Sequence, residues 1–321
     1  MSTNMEIIEV AGKAARIQSN ISRVIIGKEE VIRQVITALL AGGHVLLEDV
    51  PGTGKTMLSK ALAASIDAEF GRIQFTPDLL PADVTGLNVY NQKNATFDFV
   101  PGPVFTNILL ADEINRATPR TQSSLLECMA EKQVTVDGET RKLSEPFFLL
   151  ATQNPVETAG TYPLPEAQLD RFAMQLSLGY PTLEEELDIM DRYIEDSPLE
   201  ELKAVCSSEE VMEMRTVCRQ VFVHDCVRKY MAQIVQATRE HSSLAIGVNP
   251  RGTLTYMRCV QAYAAISGRD FVTPDDVKTL CVPVLAHRLL SYATNQSGAV
   301  QNILEEILSS VPVPTESWGK S

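Results

Sequence analysis

Five short stretches of the chain are largely apolar: "GHVLLED" (43–49), "FGRIQF" (70–75), "NILLADE" (107–113), "PFFLLATQ" (146–153) and "FAMQLSL" (172–178). Their apolar residues run on instead of alternating with polar ones. That pattern predicts strands buried on both faces, as in a parallel sheet. Between them lie stretches of helical period, such as "KTMLSKALAASI" and "TQSSLLECMAEK". Strand and helix in alternation predict an α/β fold of doubly wound order, a parallel sheet between layers of helices.

Two departures from the alternation divide the chain. Residues 76–104, "TPDLLPADVTGLNVYNQKNATFDFVPGPV", are rich in Pro, Gly and Asn and contain a hairpin-like "NVYNQKNATFDFV". They read as an insertion between two strands, too long for a mere connector. After Tyr180-Pro181 only helical spacing remains, in "TLEEELDIMDRYI", "SEEVMEMRTVCRQVF", "DCVRKYMAQIVQATREH", "RGTLTYMRCVQAYAAISG" and "TPDDVKTLCVPVLAHRLL". Several of these open on Thr or Ser followed closely by an acid, an N-cap arrangement. The expected organisation is an α/β core over 1–180, carrying the insertion at 76–104. An all-helical unit over 181–321 follows, with a loose tail at 311–321.

Composition narrows the partners. A formal charge of −13 argues against nucleic acid or an anionic membrane as the main partner, since both reward a basic face. No stretch has the length and apolarity of a membrane span, and the first twenty residues carry acids and no long apolar core, unlike a signal peptide. The six cysteines form no C-x-x-C pair and sit in apolar helical patterns, which predicts reduced core thiols in a cytoplasmic protein.

Candidate chemistry begins at "LLEDVPGTGKTM", where a strand runs through a Gly-rich turn into a helix. Gly52 and Gly54 let backbone N–H groups approach an anion. Lys55 reaches the β- and γ-phosphates of a nucleotide, and the Thr56 hydroxyl suits Mg²⁺. Pro51, Thr53 and Met57 complete the loop, and the positive end of the following helix faces the phosphates. The motif G-x-x-x-x-G-K-[ST] would have glycine at position 49, where this chain has Asp. Aspartate tolerates unusual backbone angles and bonds nearby N–H groups. Its charge opposes a phosphate, so its carboxylate must point away from the loop.

Further polar residues end later strands, where ligands bind in open α/β sheets. Asp112 is placed to hold Mg²⁺ through water, and Glu113 to orient the attacking water. Asn154 closes the next run and offers an amide to the γ-phosphate. Arg171 precedes the fifth strand, at an edge that faces outward, so it suits a neighbouring subunit's nucleotide. Arg251 opens a helix in the second unit. A cation there is disfavoured without an anion, which suggests a phosphate reached across the seam between the units.

Taken together, "LLEDVPGTGKT", "QFTPDLLPADVTG", "FVPGPVFTNILLADEINRATPRTQSSLLECM", "EKQVTVDG", "ATQNPVETAGTYPLPEAQLDRF" and "NPRGTL" closely resemble the MoxR family of AAA+ ATPases. The resemblance implies a P-loop αβα module, a helix-2-type insertion, a helical lid and assembly into a homo-oligomeric ring, usually a hexamer. It assigns Lys55 and Thr56 to Walker A, Asp112 and Glu113 to Walker B and Asn154 to sensor 1. Arg171 becomes the arginine finger, with Arg116 and Arg120 also near the subunit edge, and Arg251 the sensor-2 arginine. It lays the segment containing Val24, Ile25 and Gly27 against the adenine. The implied activity is ATP- and Mg²⁺-dependent remodelling of client proteins, often beside a partner with a von Willebrand factor A domain. The rival readings are a nucleotide-gated scaffold without useful hydrolysis and a chelatase-type motor.

Overall fold

The computed structural model describes residues 6–154, 160–194, 198–292 and 298–314. The tail expectation lies outside these residues from 315 onward. Two helices come first, α1 (Ile7–Ser22) and α2 (Glu29–Ala41), followed by β1 (Val45–Glu48), α3 (Lys55–Ser65) and β2 (Phe70–Gln74). The insertion contains α4 (Pro81–Thr85), β3 (Gly86–Asn91) and β4 (Thr96–Pro101). Next come β5 (Ile108–Asp112), α5 (Pro119–Glu131), the hairpin β6 (Gln133–Val136) and β7 (Glu139–Lys142), and β8 (Phe148–Gln153). A short α6 (Glu166–Leu169) leads to β9 (Met174–Leu176).

The remainder is mostly helical: α7 (Leu183–Arg192), α8 (Ser208–Cys218), α9 (Asp225–Glu240), α10 (Pro250–Ile266), α11 (Pro274–Leu285) and α12 (Ala299–Ser310). A small antiparallel pair, β10 (Leu244–Ile246) with β11 (Leu290–Ser291), is set among them. The expected caps are present. Thr182, Ser207 and Thr273 each close a capping box, with Glu185, Glu210 and Asp276.

Five strands form one parallel sheet in the order β2-β5-β8-β1-β9. Each of the five apolar runs supplies one of them. In the central strands β1, β5 and β8 successive side chains enter different cores, which is why those runs do not alternate. The expectation of burial on both faces fails for β2 and β9, because they lie at the sheet edges and keep polar residues such as Arg72, Gln74 and Gln175. Val45, Leu47, Ile108, Leu110, Phe148 and Leu150 pack on one side with α1–α3 and the C-terminal helices. Leu46, Leu109, Ala111, Leu149 and Ala151 pack on the other with α5, Val84 and Val104. The first core is continuous from α1 to α12, so α2 and α10 share one apolar interior.

The strands run in one direction, which fixes where polar groups collect. The loop after β1, the acids after β5 and the polar end of β8 all emerge at the carboxyl edge. The start of β9 and the turn before β1 lie at the opposite edge.

Candidate nucleotide site

At the carboxyl edge a cleft of about 390 Å³ is lined by the loop residues Pro51, Gly52, Gly54, Lys55, Thr56 and Met57, and by Asp49, Arg72, Gln74, Asp112, Glu113, Thr152, Gln153 and Asn154. Gly52 and Gly54 have φ of 86° and 92°, the left-handed region where a side chain is strained. A Cβ on Gly52 would meet no atom within 4 Å, so the space over this glycine is open to a ligand. Helix α3 starts at Lys55, with its first amides at the cleft. The Lys55 ammonium donates to the carbonyls of Asp49 (3.1 Å) and Val50 (2.7 Å). Burial lowers its pKa, opposed by the charges of Asp49, Asp112 and Glu113.

Asp49 turns its carboxylate away from this cleft, as its charge requires. It accepts from Ser177 Oγ (2.7 Å) and from the amides of Leu178 (2.8 Å) and Gly179 (2.9 Å), just beyond β9. The loop is thereby tied at its root to the neighbouring strand by three charge-assisted bonds.

The two acids are held in a set of polar contacts. Asp112 Oδ1 accepts from Thr152 Oγ1 (2.7 Å), and its Oδ2 from Arg72 Nη2 (2.7 Å). Thr152 Oγ1 in turn accepts from the Glu113 amide (2.8 Å). Glu113 Oε2 accepts from Gln74 Nε2 (2.8 Å) and Arg116 Nη1 (3.2 Å). Glu113 itself has a φ of 55°, a strained value for a residue with a side chain. Asn154 lines the cleft and is buried.

A second recess of about 180 Å³ adjoins the loop and shares Gly52, Gly54 and Met57 with the first. Val24, Ile25, Thr53, Pro181, Ile189 and Tyr193 also line it. It is mostly apolar and suits a planar base at the end of a phosphate chain. Gly27 stands beside it at φ 70°, with Glu185 packed where its Cβ would be.

The donor set fits a nucleotide with Mg²⁺. Thr56 and Asp112 offer hard oxygen ligands in one cleft, and among the described residues no group of three or more His, Cys, Asp or Glu forms a metal cage. Mg²⁺ suits such a site because it keeps waters and shares phosphate oxygens.

Comparison with known proteins agrees with this geometry. Residues 44–174 match the family model for the ATPase family associated with various cellular activities (AAA), and residues 236–307 match the AAA lid domain. YeaC, an uncharacterized protein of Bacillus subtilis, is 48% identical over 318 residues, which is 98% of each chain. The chaperone MoxR1 of Mycobacterium tuberculosis is 39% identical over 92% of this chain and 80% of its own. The crystal structure of a proposed ATPase from Cytophaga hutchinsonii superposes with a TM-score of 0.89 at 38% identity, covering 96% of this chain and 97% of that one.

The chain belongs to the MoxR family of AAA+ ATPases.

In this MoxR-family protein two of the expected residues lie elsewhere. Arg171 and Arg251 line a separate cleft of about 330 Å³ with Gly42, Gly43, His44 and Arg258. It opens at the amino edge of the sheet. From His44 to Asp49 the chain spans five steps of roughly 3.3 Å, so the two clefts are roughly 16 Å apart along β1. The anion expected for Arg251 is Asp170, at 3.8 Å, and not a phosphate of the same chain. Arg171 donates to the Leu126 carbonyl. A buried arginine, Arg288, fixes the ground between them. It bonds the Asp170 carboxylate (3.0 Å) and the Phe172 carbonyl (2.6 Å), on either side of Arg171.

Four cleft residues are absent from the motif reading: Arg72, Gln74, Thr152 and Gln153. Arg72 and Gln74 are polar residues inside the apolar run "FGRIQF", and that interruption is the one trace they leave in the sequence. Thr152 carries none, because threonine is ordinary in a strand.

Proposed function

We propose that this protein is an ATP-hydrolysing remodeller that works as a ring of identical subunits, the family's usual hexamer.

 The observation that carries this reading is the gathering of Lys55, Thr56, Asp112, Glu113 and Asn154 around one cleft at the carboxyl edge of the sheet. In it the triphosphate would lie over Gly52 and Gly54, and the base in the apolar recess beside Val24 and Ile25. Bound Mg²⁺, held by Thr56 and Asp112, would supply charge neutralisation on the phosphate oxygens.

The chain's own residues do the rest. Lys55 leaves the Asp49 and Val50 carbonyls and binds phosphate oxygens instead. Glu113, oriented by Gln74 and by the Thr152 contact to its amide, positions a water and takes its proton. Asn154 bonds the terminal phosphate. Arg171 and Arg251, too far from their own loop, meet the nucleotide of the adjacent subunit, so the site is complete between two copies. The division between a core over 1–180 and a lid over 181–321 belongs to the same proposal. Cleavage shifts the lid and the hairpin of β3 and β4, whose Tyr90 and Phe97 are exposed. That hairpin works on a client protein in the cytoplasm, beside a partner carrying a von Willebrand factor A domain.

The test is the Glu113→Gln variant. It should bind ATP as the unmodified chain does and lose turnover by about a hundredfold or more. Equal turnover in the two proteins would remove the assigned role.

A further inference from the structure

The contacts around the two acids close into a ring. Arg72 Nη2 donates to Asp112 Oδ2 (2.7 Å) and to Gln74 Oε1 (3.0 Å). Gln74 Nε2 donates to Glu113 Oε2 (2.8 Å), the Glu113 amide to Thr152 Oγ1 (2.8 Å), and Thr152 Oγ1 to Asp112 Oδ1 (2.7 Å). The ring depends on β2, which lies at the sheet edge and pairs with β5 alone. Arg72 and Gln74 are two residues apart, so they project from the same face of that strand.

Arg72 has two separate effects in this ring. First, it places a fixed positive charge on the carboxylate assigned to the metal. The pair is partly shielded, with side-chain exposures of 47% for Arg72 and 15% for Asp112. A divalent cation needs the same negative charge and competes with it. Second, arginine can donate but not accept. Its contact with Gln74 Oε1 therefore turns the Gln74 amide so that its NH₂ faces Glu113.

We propose that Arg72 is a positioning residue that competes with the divalent cation for Asp112 and, through Gln74, orients Glu113. The inference rests on the ATPase reading above. It gives the edge strand a direct hold on both acids, and that strand runs straight into the insertion at residue 76. Metal arrival at Asp112 loosens the hold of Arg72, so β2 and the insertion respond to the loading of the site.

Two substitutions separate the effects. Arg72→Gln removes the charge, whereas Arg72→Lys keeps the charge but replaces the planar fork with a single ammonium. Binding of a fluorescent ADP analogue to the full chain is measured first without metal and then as Mg²⁺ is added. Arg72→Gln should bind the analogue normally without Mg²⁺ and reach half-saturation at roughly two- to fivefold less Mg²⁺ than the unmodified chain. Arg72→Lys should keep the unmodified Mg²⁺ dependence. Both variants should lose kcat with little change in KM, because Gln74 is no longer fixed to orient Glu113. An unchanged or higher Mg²⁺ requirement in Arg72→Gln overturns the proposal. So does a lowered requirement in Arg72→Lys, which tests the idea even if the first variant does not fold. Failure of the unmodified chain to bind the analogue at all would overturn the ATPase reading, and this inference with it.

Discussion

At the scale of single residues, the chain shows how charge and burial select a side chain's direction. Asp49 occupies a position that the general motif gives to glycine. Its carboxylate is turned away and hydrogen-bonded by a hydroxyl and two amides beyond β9, so it supports the loop instead of facing a phosphate. The buried histidines work the other way. Burial lowers His44 from 6.5 to about 4 and His287 from 6.5 to about 3, so both are neutral in the fold. The unfolded chain binds their protons below pH 6.5, while the folded chain does not until near pH 4 and pH 3. Stability is therefore lost as pH falls through this window, by about 1.4 kcal/mol per pH unit for each histidine. Thermal melts from pH 7.5 down to pH 5 should show this fall. His44→Gln should flatten the slope by about half relative to the unmodified chain.

At the scale of elements, the three central strands β1, β5 and β8 were legible because burial on both faces leaves a continuous apolar run, while the edge strands β2 and β9 carry a weaker version of it. The capped helices α7, α8 and α11 were legible too, since Thr182, Ser207 and Thr273 carry a local signal. The hairpin of β6 and β7 turns at Asp137 and Gly138, both at positive φ, and this D-G pair was a usable turn signal. What local pattern does not contain is how elements grip one another. Arg288, which belongs to no motif, joins the C-terminal helices to the start of β9 through Asp170 and Phe172. Arg288→Ala would strip the buried Asp170 carboxylate of its buried partner and leave it only the exposed Arg251 at 3.8 Å, at a cost of about 3 kcal/mol. Urea unfolding should register that loss, and a change below 1 kcal/mol (about the value of an exposed pair) would show that the contact does not hold the elements together.

At the scale of the whole molecule, the two clefts occupy opposite edges of one parallel sheet. A subunit that offers its phosphate loop at one edge and Arg171 and Arg251 at the other is suited to a head-to-tail arrangement, in which each copy completes the next. Subunit mixing tests this. Lys55→Ala and Arg171→Ala should each be inactive alone. Mixed in equal amounts they should recover roughly a quarter of normal turnover, since that share of random head-to-tail contacts pairs an intact loop with an intact arginine. No recovery in the mixture would remove the action of Arg171 on a neighbour's nucleotide, and full activity of Arg171→Ala alone would place it outside the reaction.

The amino-acid sequence by itself determined the strands, the phosphate loop with Gly52, Gly54, Lys55 and Thr56, and the acids Asp112 and Glu113. These follow from local rules: apolar runs mark doubly buried strands, and a Gly-rich turn before a helix marks an anion site. Only the tertiary structure decided that Arg72 and Gln74 reach those acids from the edge strand, that Asp49 binds beyond β9, and that Arg171 and Arg251 share a cleft at the far edge. The physical reason is that these contacts join residues about 40 to 130 positions apart. Strand order and direction bring them together, and no short window of sequence records either.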